Sequence, residues 1–309
     1  MSAKVYVYPR VSGSSSYTAR LISELSAPNA QVEYFRLWPV VKSILNHNQT
    51  VLVLNWVEGQ ILKPGIRGEL LRWILFSKAS EPLKKVFGIK IKIVWHNIFS
   101  VKYSDKNRLL KIRSLMSRRS NVYVMNSVVA DQFSVSYFTH PPFFDKTENL
   151  NRPIINKTPS IVYFGGKHKF PPLPELLAVS KHLRMRVKIV GQCCSNLGEL
   201  TELVSEQIDI SPGRLSDEDL YEAVSTSSAC LVSVEKNDPI ISGTAIYSLE
   251  CGIDIITTCQ YTCDYFKKIG FEVIELIRGY SIVVYNKKVF ESYFYRSSAA
   301  KLLTGESNW

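Results

Sequence analysis

Several short clusters in the sequence combine residue types that handle phosphates and hydroxyls. Ser242-Gly243-Thr244 lies between an apolar strand expected over 229–234 and a short helix expected over 244–251, which Gly252 ends. Gly243 has no Cβ, so a ligand can approach the backbone there. The first N–H groups of a helix lack partners within it and carry partial positive charge, which suits phosphate or sugar hydroxyls. The competing reading is an ordinary βαβ crossover with Ser242 as N-cap. Gly165-Gly166-Lys167-His168-Lys169-Phe170 follows another apolar strand. Two glycines with two lysines and a His fit a pyrophosphate, or else a flexible basic turn.

The first half carries its own candidates. Pro9-Arg-Val-Ser-Gly-Ser-Ser-Ser16 is a small-residue loop between a strand and a helix, with Ser14, Ser15 and Ser16 at its end. It lacks GxGxxG and the P-loop Lys, so neither nucleotide fingerprint applies. Asn55-Trp56-Val57-Glu58 ends a strand in polar and aromatic groups. His96-Asn97 directly follows the apolar strand over 90–95. An imidazole at a strand's carboxyl end can donate to a phosphate or hydroxyl, or act as a base; it can also simply cap the strand. His140, beside Pro141-Pro142, reads as structural.

These clusters need strands to carry them. Strands are expected over 4–8, 32–37, 51–56, 90–95, 121–125 and 137–139, with helices over 17–25, 65–77 and 105–117. After a polar stretch over 145–159, strands are expected over 160–164, 186–190, 208–211, 229–234 and 253–258. Helices are expected over 174–183 and after Ser216, an N-cap followed by three acids. Alternating strands and helices predict an α/β fold of two Rossmann-like, doubly wound domains facing a central cleft. The expected boundaries are 1–148 for the first domain and 149–286 for the second. Residues 287–309 would form a C-terminal helix that could pack back on the first domain.

Charge is unevenly placed. Residues 61–120 hold fifteen Lys and Arg against three acids, a net of +12, so the rest of the +11 chain nets −1. Trp73, Phe76 and Phe87 are interleaved with these cations, a mixture suited to an anionic membrane surface. A solvated basic face is the next reading. Nucleic acid, supported by no motif, is not expected as a partner. No apolar run reaches the length of a membrane span, and the N-terminus lacks a signal-peptide pattern, which points to the cytoplasm. All six cysteines lie in the second half. Cys259-x-x-x-Cys263 lacks a second pair or a nearby His to complete a zinc site, so no metal is expected.

Order and spacing resemble the GT-B glycosyltransferases of the bacterial cell-surface polysaccharide type. Ile93-Val-Trp-His-Asn97 resembles their Trp-Thr-Val-His-Asn element, and Val53-Leu-Asn-Trp56 the strand before it, with Asn55 in place of His. Val162-Tyr-Phe-Gly-Gly166 resembles the strand opening the donor domain. Ser242-Gly243-Thr244 through Gly252 resembles their Ser-Gly element and nucleotide-sugar helix. The chain departs from the family where many retaining members carry two Glu eight positions apart. Those positions fall on Pro239 and Tyr247, and Glu250, out of phase in the same helix, reads as solvent-side or interdomain.

The resemblance implies transfer of a sugar from a nucleotide-sugar, a UDP-sugar being favoured, to a lipid-linked saccharide in surface-polysaccharide synthesis (O-antigen, capsule or exopolysaccharide). It implies a cytoplasmic enzyme peripheral at the inner face of the membrane and independent of metal or other cofactor. Gly165, Gly166, Lys167, Lys169, Glu235, Ser242, Gly243 and Thr244 would hold the donor, with the lysines neutralising the diphosphate and Glu235 orienting hydroxyls. His96 would stand near the reacting centre, and Ser14, Ser15, Ser16, Trp56, Glu58 and Asn97 on the acceptor side. The alternative is a non-catalytic GT-B-like binding subunit, which the missing Glu pair keeps open.

Overall fold

The computed structural model describes residues 4–8, 17–26, 30–46, 50–55, 85–86, 88–94, 122–144, 156–165, 171–192, 207–234, 241–277 and 279–294. They divide between Pro141 and Pro142 into two compact units.

The first unit runs β1(Lys4–Tyr8), α1(Tyr17–Ser26), β2(Gln31–Tyr34), α2(Leu37–Leu45), β3(Thr50–Asn55), β4(Ile89–Val94), β5(Val122–Val124), α3(Ser127–Phe133) and β6(Ser136–Tyr137). Val5, Tyr6 and Val7 are consecutive and all buried, as strands covered on both faces require. The sheet order is β2-β1-β3-β4-β5-β6, parallel throughout. Leu21 and Leu25, four apart on α1, pack with Val5, Val7, Val51 and Val53 to form the core. Helices α2 and α3 were not among the expected elements. The start of α3 was legible: Asn126 accepts from the N–H groups of Val128 at 2.9 Å and Val129 at 3.4 Å, an Asn N-cap.

The second unit runs β7(Thr158–Phe164), α4(Leu173–Leu183), β8(Arg186–Gly191), β9(Ile208–Pro212), α5(Asp217–Ser225), β10(Ser227–Leu231), α6(Gly243–Glu250), β11(Asp254–Thr257), α7(Gln260–Lys268), β12(Val273–Ile277), β13(Tyr280–Val283) and α8(Lys287–Phe294). Ser216 caps α5 as its sequence predicts, accepting from the Asp219 N–H at 3.0 Å. The sheet order is β12-β13-β11-β10-β7-β8-β9. Its five strands β7 to β11 are parallel, as expected. The hairpin β12–β13 is a departure: β13 adds antiparallel to β11. Gly279, at φ +82, supplies the left-handed residue between its strands. The Tyr285 N–H donates to Asp254 Oδ1 at 2.8 Å, fixing the chain leaving the hairpin to the start of β11.

Helix α7 contains the cysteine pair. Cys259 sits at its N-cap position and Cys263 one turn on, both buried. Among the described residues no three His, Cys, Asp or Glu side chains gather as metal ligands.

Candidate functional site

Open α/β sheets bind ligands beyond the carboxyl ends of their strands, where the strand order reverses direction. In the second unit that point lies between β7, which leads outward to β8 and β9, and β10, which leads outward to β11. Gly165 directly follows β7, and Ser242, Gly243 and Thr244 open the helix that follows β10. The topology thus brings four of the expected donor residues to one edge of one sheet.

Local geometry at this edge is dominated by backbone. Gly191, ending β8 at φ +95, lies close beside β7; a Cβ on it would meet the Gly165 carbonyl oxygen at 3.5 Å. Ser242 takes the N-cap position of α6 with φ −67 and ψ 129, but its hydroxyl makes no capping hydrogen bond. Its carbonyl accepts from the N–H groups of Ala245 at 2.9 Å and Ile246 at 3.3 Å. The positive end of α6 therefore lacks a side-chain cap from its own N-cap serine, unlike α5 and α3. A Cβ on Gly243 would stand 3.5 Å from the Phe143 ring, so the ring takes that side of the glycine.

Phe143 belongs to an arrangement that the sequence reading missed. Phe143 and Phe144 pack on Tyr247 at centroid distances of 5.1 and 5.4 Å, and Phe164 meets Tyr247 at 5.6 Å. Tyr247, at one of the positions where the resembled family carries Glu, is buried in this aromatic cluster. Glu250 accepts from the Phe143 N–H at 2.6 Å and the Phe144 N–H at 3.0 Å. It is 3% exposed, so of the two readings, solvent-side or interdomain, the solvent-side one is overturned. The signal was an acid inside an otherwise apolar crossover helix, since a buried carboxylate requires donors. Residues 243, 247 and 250 share one helix face, and the Phe143–Phe144 chain runs along it.

The carboxyl edge of the first sheet is built differently. Its reversal lies between β1 and β3, and there the fully buried Asn55 side chain donates to the Tyr8 carbonyl at 3.1 Å. His140, beyond β6, is buried, with Nδ1 2.7 Å from the Pro141 carbonyl oxygen. Burial, and then the nearby Arg20 charge, push its pKa from 6.5 down to about 3, against the pull of the Pro141 carbonyl. A neutral, enclosed imidazole is the structural role read from its sequence position.

The remaining candidates lie outside the described residues: His96, Gly166, Lys167, Lys169, Glu235, Ser14, Ser15, Ser16, Trp56, Glu58 and Asn97. The elements leading to some of them are described. Strand β4 ends two residues before His96, and β3 ends one residue before Trp56.

Two Rossmann-like units, each with a parallel-rich sheet, define the GT-B fold class. No protein-family model matches the chain, and no curated protein matches it in sequence. Among solved structures it is similar to Alr3699/HepE from Anabaena in complex with UDP-glucose, at 11% identity and a TM-score of 0.50, covering 84% of this chain and 82% of that one. It is equally similar to the E. coli structure of trehalose-6-phosphate bound with UDP-2-fluoro glucose, at 9% identity and TM-score 0.50, covering 81% and 82%. A third, WaaG, a glycosyltransferase involved in lipopolysaccharide biosynthesis, covers 98% of this chain and 90% of its own at 11% identity. Its TM-score is 0.40. At these identities the likeness establishes the fold.

Proposed function

We propose that the chain is a glycosyltransferase that takes its sugar from a nucleotide-sugar, a UDP-sugar by preference, and binds it on the second unit. The observation that carries this reading is the placement of Gly165 and the Ser242–Thr244 helix start at the β7/β10 reversal. Backbone N–H groups at such a helix start suit a diphosphate. The two solved structures at TM-score 0.50 share this fold and hold UDP-glucose or its fluoro analogue. Lys167 and Lys169, two and four residues past Gly165, would neutralise the diphosphate leaving group without a metal. Gly166 would admit it close to the backbone, and Glu235 would orient hydroxyls. His96 and Asn97, with Ser14, Ser15, Ser16, Trp56 and Glu58, would serve the acceptor.

A lipid-linked saccharide of a surface polysaccharide is the proposed acceptor, met at the inner face of the cell membrane. The +12 net charge of residues 61–120 supports an anionic surface as partner. No helix among the described residues is long and apolar enough to cross a membrane.

Release of nucleoside diphosphate by the purified chain, incubated with UDP- and GDP-sugars and membrane lipid extract, tests the reaction. A catalyst releases one of them, and Lys167→Ala with Lys169→Ala lowers donor affinity by at least ~100-fold. Binding without release in every combination would favour the non-catalytic subunit, a reading that Tyr247 keeps in view by standing, buried, where a family Glu is expected. Undiminished donor binding by the double variant would remove the lysines from the site.

A further inference from the structure

Helix α2 is apolar on both of its faces, and only one is covered. Val40 and Ser43 are buried against the sheet, and the Ser43 and Thr50 hydroxyls are hydrogen-bonded at 3.0 Å. The other face carries Trp38, 79% exposed, and Leu45, 66% exposed. Seven residues are close to two helical turns, so these side chains stand in one line about 10 Å apart along the axis. Val41 lies between them, half-buried, and Lys42 beside them, exposed. A helix that is apolar all round is normally enclosed.

The surroundings of this stripe are mainly cationic. A hollow of about 420 Å³ opens beside Trp38, lined by Lys4, Lys42 and Glu33, with the buried Tyr6 and Ser43. Arg36, at the N-cap position of α2, is exposed. Among the described residues, Lys4 and Lys42 thus line the hollow beside Trp38 with Glu33, and Arg36 lies two residues before Trp38. The Tyr6 hydroxyl donates to the Pro39 carbonyl at 3.0 Å, fixing the first turn, and with it Trp38, to β1.

We propose that the exposed face of α2 seats in an anionic lipid surface, with Trp38 and Leu45 entering the acyl boundary and Lys4, Arg36 and Lys42 meeting lipid phosphates. The size of the patch favours lipid over a second copy of the chain. Trp38 and Leu45 together expose on the order of 300 Å², well short of the roughly 800 Å² that each partner of a stable complex contributes. Interfacial anchoring needs only a few apolar side chains combined with cations, and Trp suits the boundary because its ring is apolar and its N–H polar. The inference rests on the membrane partner proposed above but not on the donor or the reaction.

The test is flotation of the full chain with vesicles of equimolar phosphatidylglycerol and phosphatidylcholine at low salt. Trp38→Ala with Leu45→Ala should lower partitioning by at least ~10-fold, and Lys42→Glu should lower it further. Trp38→Phe should keep most of the binding. The fluorescence difference between wild type and Trp38→Phe should be quenched by lipids brominated on their acyl chains. The proposal is overturned if the double variant floats like the wild type, or if bound protein shows no quenching of the Trp38 signal. It is also overturned if the wild type forms a lipid-independent dimer that the double variant loses. Wild type that does not float at all would end the membrane reading as well, leaving nucleotide-sugar turnover as a separate result.

Discussion

The two sheets reverse their strand order in different places, and their carboxyl edges are finished with different chemistry. In the first unit the β1/β3 reversal is closed by a buried side chain: Asn55 donates to the Tyr8 carbonyl. The same edge ends in His140, enclosed and bonded to Pro141. In the second unit the β7/β10 reversal is finished by Gly165, with Gly191 close by, and by a helix whose N-cap serine makes no side-chain capping hydrogen bond. The described part of the first edge spends its polar groups internally. The second presents backbone at the position where a diphosphate is best held. One strand–helix pattern therefore supports two kinds of edge, and the second is the one proposed to hold the donor.

The largest effect expected from breaking this contrast is at Glu250. Its carboxylate holds the Phe143 and Phe144 amides along the face of α6. Glu250→Ala removes a buried carboxylate and leaves two partly buried N–H groups without their acceptor, and should cost about 2–4 kcal/mol, read as a drop in the urea unfolding midpoint. Glu250→Gln, keeping one acceptor oxygen, should lose about half as much. A loss near zero for Glu250→Ala would mean that the aromatic packing alone holds the segment.

A smaller effect tests the first edge. The folded-state pKa of His140 is about 3, against 6.5 for the free side chain. Between those values the unfolded chain binds a proton that the folded chain refuses. Stability from His140 is complete above pH 6.5 and is lost as pH falls toward 3, at about 1.4 kcal/mol per pH unit. His140→Gln should flatten the stability profile between about pH 6.5 and 5 by roughly 2 kcal/mol. Parallel profiles for variant and wild type would show that His140 titrates freely, and the first edge would then be more open than described.

Much of the fold was legible because each apolar run is short and bounded. The segments Lys4–Tyr8 and Arg186–Gly191 are strands as the pattern requires. Ser216 and Gly252 act where their types predict: one caps α5, and the other takes φ +75 after α6. What escaped depended on tertiary partners. Helix α2 carries apolar residues on its exposed face, Trp38 and Leu45, as well as on its buried one, so no single face announced it. The hairpin β12–β13 breaks the parallel rule at a sheet edge, where an antiparallel strand is easily added. Cys259 and Cys263, spaced like half of a metal site, are buried one turn apart at the start of α7. At the candidate site, the glycines and Ser242 could be read from type and spacing. The partnership of Glu250 with Phe143 and Phe144 spans more than a hundred residues and could not.

The central claim, that the second unit holds the donor, is tested most directly by photolabelling the full chain with a photoreactive UDP-glucose and mapping the modified peptides. The account predicts label within residues 160–172 and 232–251, competed by unmodified UDP-glucose. Competable label confined to residues 4–55 of the first unit would contradict it.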